Sequence, residues 1–245
     1  LDTFNNTIIE ADERLIPLFI NSFEKKHHEK FFKLGHYSNN PEKLKYFDQV
    51  LYAGSLGYYF RNNINNFSKK NYLKIPNNIL SEEKINLEHF TKKFKIGLSW
   101  KSFNTLYSKQ KSLNLIDFDQ LINSNDFDFI NLQYGDVSDE INTFNNNSKS
   151  RIHVLENVDL FNDFIKIGSV LKNIDLFITV SNSTAHLAGA LGVKTLLIKP
   201  FSQATFHYWN QPTNRTPWYD SIVLVEKNEL ENIELFKKKI LLNIN

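Results

Sequence analysis

Between residues 174 and 198 an apolar run, Ile-Asp-Leu-Phe-Ile-Thr-Val, breaks at Ser181 and Asn182, passes into the helix-favouring stretch 184–191, and is followed by a second apolar run at 195–198. Short apolar runs bounded by breakers read as buried strands, and a helix joining two of them makes a βαβ unit whose strands lie parallel. Ser181, Asn182 and Ser183 stand where the first strand hands over to the helix, with Thr184 directly behind. Hydroxyls and backbone N–H groups therefore converge on the positive end of the helix dipole, an arrangement that suits a phosphate. Gly189 reads as the point of close helix–sheet packing, and Gly192 as the C′ residue that closes the helix.

The same alternation runs through the second half of the chain. Strands are expected at 94–99, 127–132, 152–155, 174–180, 195–198 and 222–225, and helices at 118–123, 138–145, 161–172, 184–191 and 229–242. Such a series predicts an α/β domain with a doubly wound parallel sheet and helices on both faces. Ligands of these sheets sit outside the carboxyl ends of the strands, here marked by Ser99, Trp100 and Lys101, by Gln133, Tyr134 and Gly135, by Glu156 and Asn157, and by 181–184. Earlier in the chain the pattern predicts strands at 7–10 and 48–53, a turn at 54–57 leading into a helix at 58–62, and a segment at 13–23 that Asp12 caps and Pro17 keeps short. Pro76 ends the first region, and Ser81 with Glu82 and Glu83 behind it reads as the start of a charged helix running to about Lys92. The expected division is 1–75 as the later part of one α/β domain, 76–93 as a linker helix, and 94–245 as a Rossmann-like ligand domain whose last helix packs back on the first.

Composition narrows the function classes. Of 245 residues, 41% are hydrophobic and 14% aromatic, enough for a sizeable core, while 29 basic and 27 acidic residues leave a net charge of +2. No broad field draws the chain to nucleic acid or a membrane, so at most peripheral membrane association is expected, and any charged ligand is bound locally. No run approaches the roughly 18 apolar residues of a membrane span and no signal-peptide layout opens the chain, which makes the cytoplasm the expected location. The sequence contains no Cys and no Met, which excludes disulfides and thiolate metal sites. A start at Leu1 suggests a piece of a longer protein. His27 and His28 are adjacent and do not converge on one ion, and no glycine-rich dinucleotide motif, Walker motif or nucleophile elbow is present. Asp163 suits a helix cap, and a Tyr at the place of Tyr134 packs on its neighbours as readily as on a ligand.

Ser-Asn-Ser-Thr-Ala-His-Leu-Ala-Gly-Ala-Leu-Gly at 181–192 resembles the donor-site signature of the heptosyltransferase-like (family 9) and tetratricopeptide-linked glycosyltransferases, which have the two-domain GT-B fold. Those proteins usually carry an Asp where this chain has Ser181. The likeness extends to Lys111-Ser112-Leu113, to Leu-Gln-Tyr-Gly at 132–135, to the acidic segment at 156–163, and to Tyr208-Trp209 and Arg-Thr-Pro-Trp-Tyr at 215–219. It is patchier early on, at 12–19 with Ser22-Phe23 and at Gly54-Ser55-Leu56, which resemble the acceptor-side domain.

The resemblance implies transfer of a sugar from a nucleotide-diphosphate donor to a hydroxyl of a glycan, a lipid-linked saccharide or a protein, with neither metal nor cofactor. It implies donor contacts from Ser99, Lys101, Lys111, Gln133, Tyr134, Asp159, Ser181, Asn182, Ser183, Thr184 and His186. Lys111 would stabilise the leaving diphosphate, while Gly54, Ser55 and Arg215 would line the cleft between domains. It also implies an upstream tetratricopeptide-type region, and it leaves the catalytic base unassigned. Two other readings stay open: a non-catalytic nucleotide-sugar-binding or assembly module, which Ser181 favours, and another α/β enzyme such as an epimerase on the same fold.

Overall fold

The computed structural model describes residues 7–68, 70–92, 94–103, 106–201 and 204–244; residues 1–6, 93 and 245, where the outer limits of the expected domains fall, lie outside them. Strands β1 (Ile9–Ala11) and β2 (Phe31–Lys33) pair in parallel, with helix α1 (Ile16–Ser22) between them. Asp12 accepts the Arg14 N–H as expected, while Pro17 lies in the first turn of α1, where its missing N–H would have had no helical partner. Two short helices follow, α2 (Pro41–Leu44) and α3 (Leu56–Phe60). Residues 48–53, expected as a strand, are not one: Val50 and Tyr52 are 60% and 83% exposed, and among the described residues no strand runs alongside to pair with their backbone. Helix α4 (Asn77–Asn86) begins four residues before the expected start, so Ser81 lies inside it and donates its hydroxyl to the Asn77 carbonyl instead of capping.

The second half supplies β3 (Phe94–Ser99), α5 (Ser108–Lys111), α6 (Asp119–Ile122), β4 (Phe127–Asn131), α7 (Ser138–Asn147), β5 (Ile152–His153), α8 (Phe164–Asn173), β6 (Leu176–Val180), α9 (Ser183–Leu191), β7 (Thr195–Ile198), β8 (Arg215–Thr216), β9 (Tyr219–Val225) and α10 (Ile233–Ile244). The strands form one seven-stranded sheet in the order β5-β4-β3-β6-β7-β9-β8, parallel except for β8. Helix α8 starts at Phe164, later than expected, because Asp159 accepts the N–H groups of Phe161 and Asn162 in a turn and Asp163 then caps the helix. The two-residue β8 was not expected; it exists only through its pairing with β9.

Side chains alternate along the strands between two cores. Ile96, Leu98, Phe129, Ile178, Leu196 and Val223 join one, which Phe144 of α7 and Phe236 and Ile240 of α10 complete. Ile130, Phe177, Leu197, Ile222 and Leu224 join the other, with α8, α9 and the early residues Leu18, Leu73 and Ile75. Burial on both faces is what a parallel sheet covered by helices requires. The last helix thus packs on the second-half core and not on the first region as expected. Strand order reverses between β3 and β6, and the crevice outside the ends of those two strands is where such a sheet takes a ligand. Among the described residues no helix is long and apolar enough to cross a membrane.

Candidate functional site

At the strand-order reversal, several polar residues expected to face a ligand brace the sheet instead. The Gln133 side-chain oxygen accepts from the Ser99 hydroxyl at 3.0 Å, the Trp100 N–H at 2.8 Å and the Lys101 N–H at 2.6 Å. Asn182 donates to Ser99 Oγ at 2.8 Å and accepts the Ala185 N–H at 3.0 Å, so it is both a tie between β3 and β6 and the N-cap of α9. Ser99, Gln133 and Asn182 are all buried. Lys101 is held at 2.6 Å by Glu140 of α7, which also accepts from the Trp100 indole and the Leu115 N–H. Burial pushes the Glu140 carboxyl up, but those donors outweigh it and hold it below its ordinary range. Lys101 is therefore already paired with a carboxylate in this structure. Ser181 is also buried, and its hydroxyl accepts the Trp209 indole N–H at 3.0 Å.

The open face begins at the first residue of α9. Ser183 is exposed, whereas the Thr184 side chain is buried, so only its amide remains at the helix mouth. Among the described residues, the Ala185 amide alone in this first turn has a side-chain acceptor, leaving the Ser183 and Thr184 amides free to take an anion. Lys111, the last residue of α5, is 7% exposed, with its ammonium 4.1 Å from the Phe206 ring centroid. Among the described residues no carboxylate pairs with it, and burial lowers its pKa. His186, in the first turn of α9, shares a 3.1 Å hydrogen bond between Nδ1 and the Tyr219 hydroxyl and is ringed by Tyr208 and Trp209 at 4.8 and 5.0 Å. Burial, followed by the positive charges of Lys111 and His207, holds its imidazole down at about 4, so it is neutral at pH 7. Gly189 makes room for this arrangement: a Cβ there would lie 2.4 Å from the Tyr219 ring.

An aromatic shelf lies along the ends of β3 and β4. Tyr134 packs between Phe103 at 5.5 Å and Phe161 at 6.4 Å, and Gly135, at φ +85°, lets Phe103 lie where a Cβ would be 2.5 Å away. Arg14 reaches across from the first region, donating to the Phe161 carbonyl at 2.9 Å with its guanidinium 4.9 Å from that ring. Asp159 is spent on the turn before α8; the Asn162 side chain and the Phe161 N–H hold its carboxyl low. Phe161 and Arg14 were missed from sequence; the turn at Asp159 was the available signal for Phe161, and nothing local marks Arg14. A cleft of about 480 Å³ lies between residues 53–61 and 207–218. Gly54 lines it, Ser55 sits in the same turn without doing so, and Arg215 lies outside it on β8, donating to the Asp220 carbonyl at 3.2 Å. Among the described residues no three His, Asp or Glu side chains are grouped to hold a metal ion.

The mostly parallel seven-stranded sheet, wound on both faces and reversing beside a helix mouth, gives the chain a GT-B-like fold, shared with solved structures of glycosyltransferases. The chain is similar in structure to the glycosyl transferase family 9 protein from Veillonella parvula DSM 2008, with a TM-score of 0.51 and 12% identity over 69% of this chain and 53% of that one. It is also similar to E. coli ADP-heptose lps heptosyltransferase II, with a TM-score of 0.52 and 10% identity over 71% and 54% of the two chains. In sequence it is 26% identical over 225 residues to Protein FlbA of Caulobacter vibrioides (strain ATCC 19089 / CIP 103742 / CB 15), a match covering 87% of this chain and 37% of FlbA. The chain thus spans little more than a third of that relative and about half of each solved structure. No family model matches it.

Proposed function

We propose that this chain holds the donor side of a glycosyltransferase, which moves a sugar from a nucleotide diphosphate to the hydroxyl of a glycan, a lipid-linked saccharide or a protein. The observation that carries the reading is Lys111: a buried ammonium with no carboxylate partner among the described residues, resting on Phe206, whose carbonyl accepts the N–H of Trp209, the ring that packs on His186 in the first turn of α9. In the transfer the acceptor oxygen bonds to the sugar's anomeric carbon while the bond from that carbon to the diphosphate breaks, and the electron pair leaves with the diphosphate. Lys111 and the Ser183 and Thr184 amides would stabilise that charge without a metal. Neutral His186 would donate or accept a hydrogen bond there, and the shelf of Phe103, Tyr134 and Phe161 offers faces on which a base can stack. The group that takes the acceptor's proton is left unassigned.

A second reading, a nucleotide-sugar-binding module without turnover, draws on the inward-facing Ser181 hydroxyl where the resembled family carries a carboxylate. The two separate when UDP-, GDP- and ADP-sugars are incubated with the full-length protein and free nucleotide diphosphate and sugar are followed. Release of nucleotide diphosphate with transfer or slow donor hydrolysis supports the enzyme; tight binding without release across an acceptor panel supports the module. No binding of any nucleotide diphosphate overturns both.

A further inference from the structure

The cleft between 53–61 and 207–218 is not part of the diphosphate corner, yet a continuous aromatic wall joins the two. The Arg61 guanidinium lies 5.8 Å from the Phe67 ring centroid, Phe67 meets Trp218 edge-on at 5.0 Å, Trp218 meets Tyr208 at 4.9 Å, and Tyr208 meets His186 at 4.8 Å. At about 480 Å³ the cleft has the size of a small-ligand site. Its lining combines flat ring faces, from Tyr58, Tyr208 and Trp218, with one guanidinium from Arg61 and the imidazole of His207, and includes no carboxylate. Arg61 donates to the Phe60 carbonyl, and among the described residues no acidic side chain pairs with it.

Sugar rings pack their C–H faces on aromatic side chains, and a guanidinium pairs in a fork with a carboxylate. We infer that this cleft receives the acceptor and that the acceptor is an acidic saccharide, its ring on the Tyr208 and Trp218 faces and its carboxylate on Arg61. The inference rests on the sugar-transfer reading for the word acceptor, but the recognition of an acidic sugar stands or falls separately. Gly54 supplies an independent handle: it lines the cleft, and a Cβ built there meets nothing within 4 Å, so a larger side chain has room at the cleft wall.

The test is saturation-transfer NMR on the whole chain with methyl β-D-glucuronide and N-acetylneuraminic acid, against methyl β-D-glucoside as the neutral counterpart. At least one of the acids is expected to bind about tenfold or more tightly than the glucoside. That preference is expected to vanish in Arg61→Leu, and all three signals are expected to fall in Gly54→Leu. UDP, GDP and ADP titrations of both variants, within about twofold of the parent, show that the fold and the diphosphate corner are intact. Equal binding of acid and neutral sugar, a preference that survives Arg61→Leu, or no sugar binding at all overturns the inference. Acid-sugar binding in a chain that fails to bind any nucleotide diphosphate keeps the inference about the cleft and removes only the donor reading.

Discussion

Desolvation disfavours an ammonium, so a lysine kept inside without a carboxylate is a strained choice unless an anion completes it. Lys111 is in that position, and replacing it with Ala is expected to weaken UDP, GDP or ADP binding by about 1.5–3 kcal/mol, roughly ten- to a hundredfold, as for a hydrogen bond to a charged group. The matching nucleoside should lose little in calorimetric titration; equal losses would place the lysine against the base instead. His186 gives a pH prediction. Its pKa of about 4 in the folded chain lies below the ~6.5 of an unfolded histidine, so between those values the unfolded state binds more protons and stability rises with pH. That contribution is complete above ~6.5 and is lost as the pH falls towards 4. Urea midpoints at pH 7 and pH 5 should therefore differ less in His186→Gln than in the parent, and an unchanged difference would contradict the buried neutral imidazole. At this scale the sequence showed where polar groups stand but not which way they turn. Ser183 is exposed at the helix mouth and Lys111 lies buried on Phe206, whereas Ser99, Lys101, Gln133 and Ser181 found partners on neighbouring elements, an outcome decided by residues 28 to 83 positions away in the chain.

Among the elements, α9 was the most legible, because the break at Ser181 and Asn182, its small residues and its closing glycine all point the same way. Gly192 lies at φ +70°, and a Cβ there would sit 2.0 Å from the Asn71 side chain. Gly192→Ala should therefore destabilise the chain by about 1–2 kcal/mol or more in urea unfolding, and a variant of unchanged stability would refute this closure. Strands β3 and β7 were read to the residue: β7 leaves a nearly continuous apolar run because it is buried throughout, and β3 shows an apolar residue at every second position, Phe94, Ile96 and Leu98, before Ser99 ends it. Residues 48–53 carry similar apolar residues and form no strand, because strand formation depends on a neighbour that the local pattern cannot announce. The start of α4 was misplaced for a related reason: Ser81 with acids behind it looks like a cap, but Pro76 had already set the chain for a helix.

Across the whole molecule, order is unevenly distributed. The sheet is covered on both faces by two cores, while residues 41–66 form only short helices and turns with Tyr46, Tyr52, Tyr58 and Ile64 exposed. Hydrogen exchange should find the amides of β3, β4, β6 and β7 among the slowest and those of 41–66 among the fastest; strong protection at 46–60 would contradict that division. The doubly wound architecture was readable from the alternation of patterns alone, whereas the meeting of Arg14 with Phe161 and of 53–61 with 207–218 arises only once the chain has closed. The central claim is that a diphosphate sits between Lys111 and the first turn of α9. A crystal structure of the protein with UDP, GDP or ADP tests it most directly: phosphate oxygens are expected within about 3 Å of Lys111 Nζ and of the Ser183 or Thr184 amide. A diphosphate bound elsewhere, with Lys111 still resting on Phe206, would contradict it.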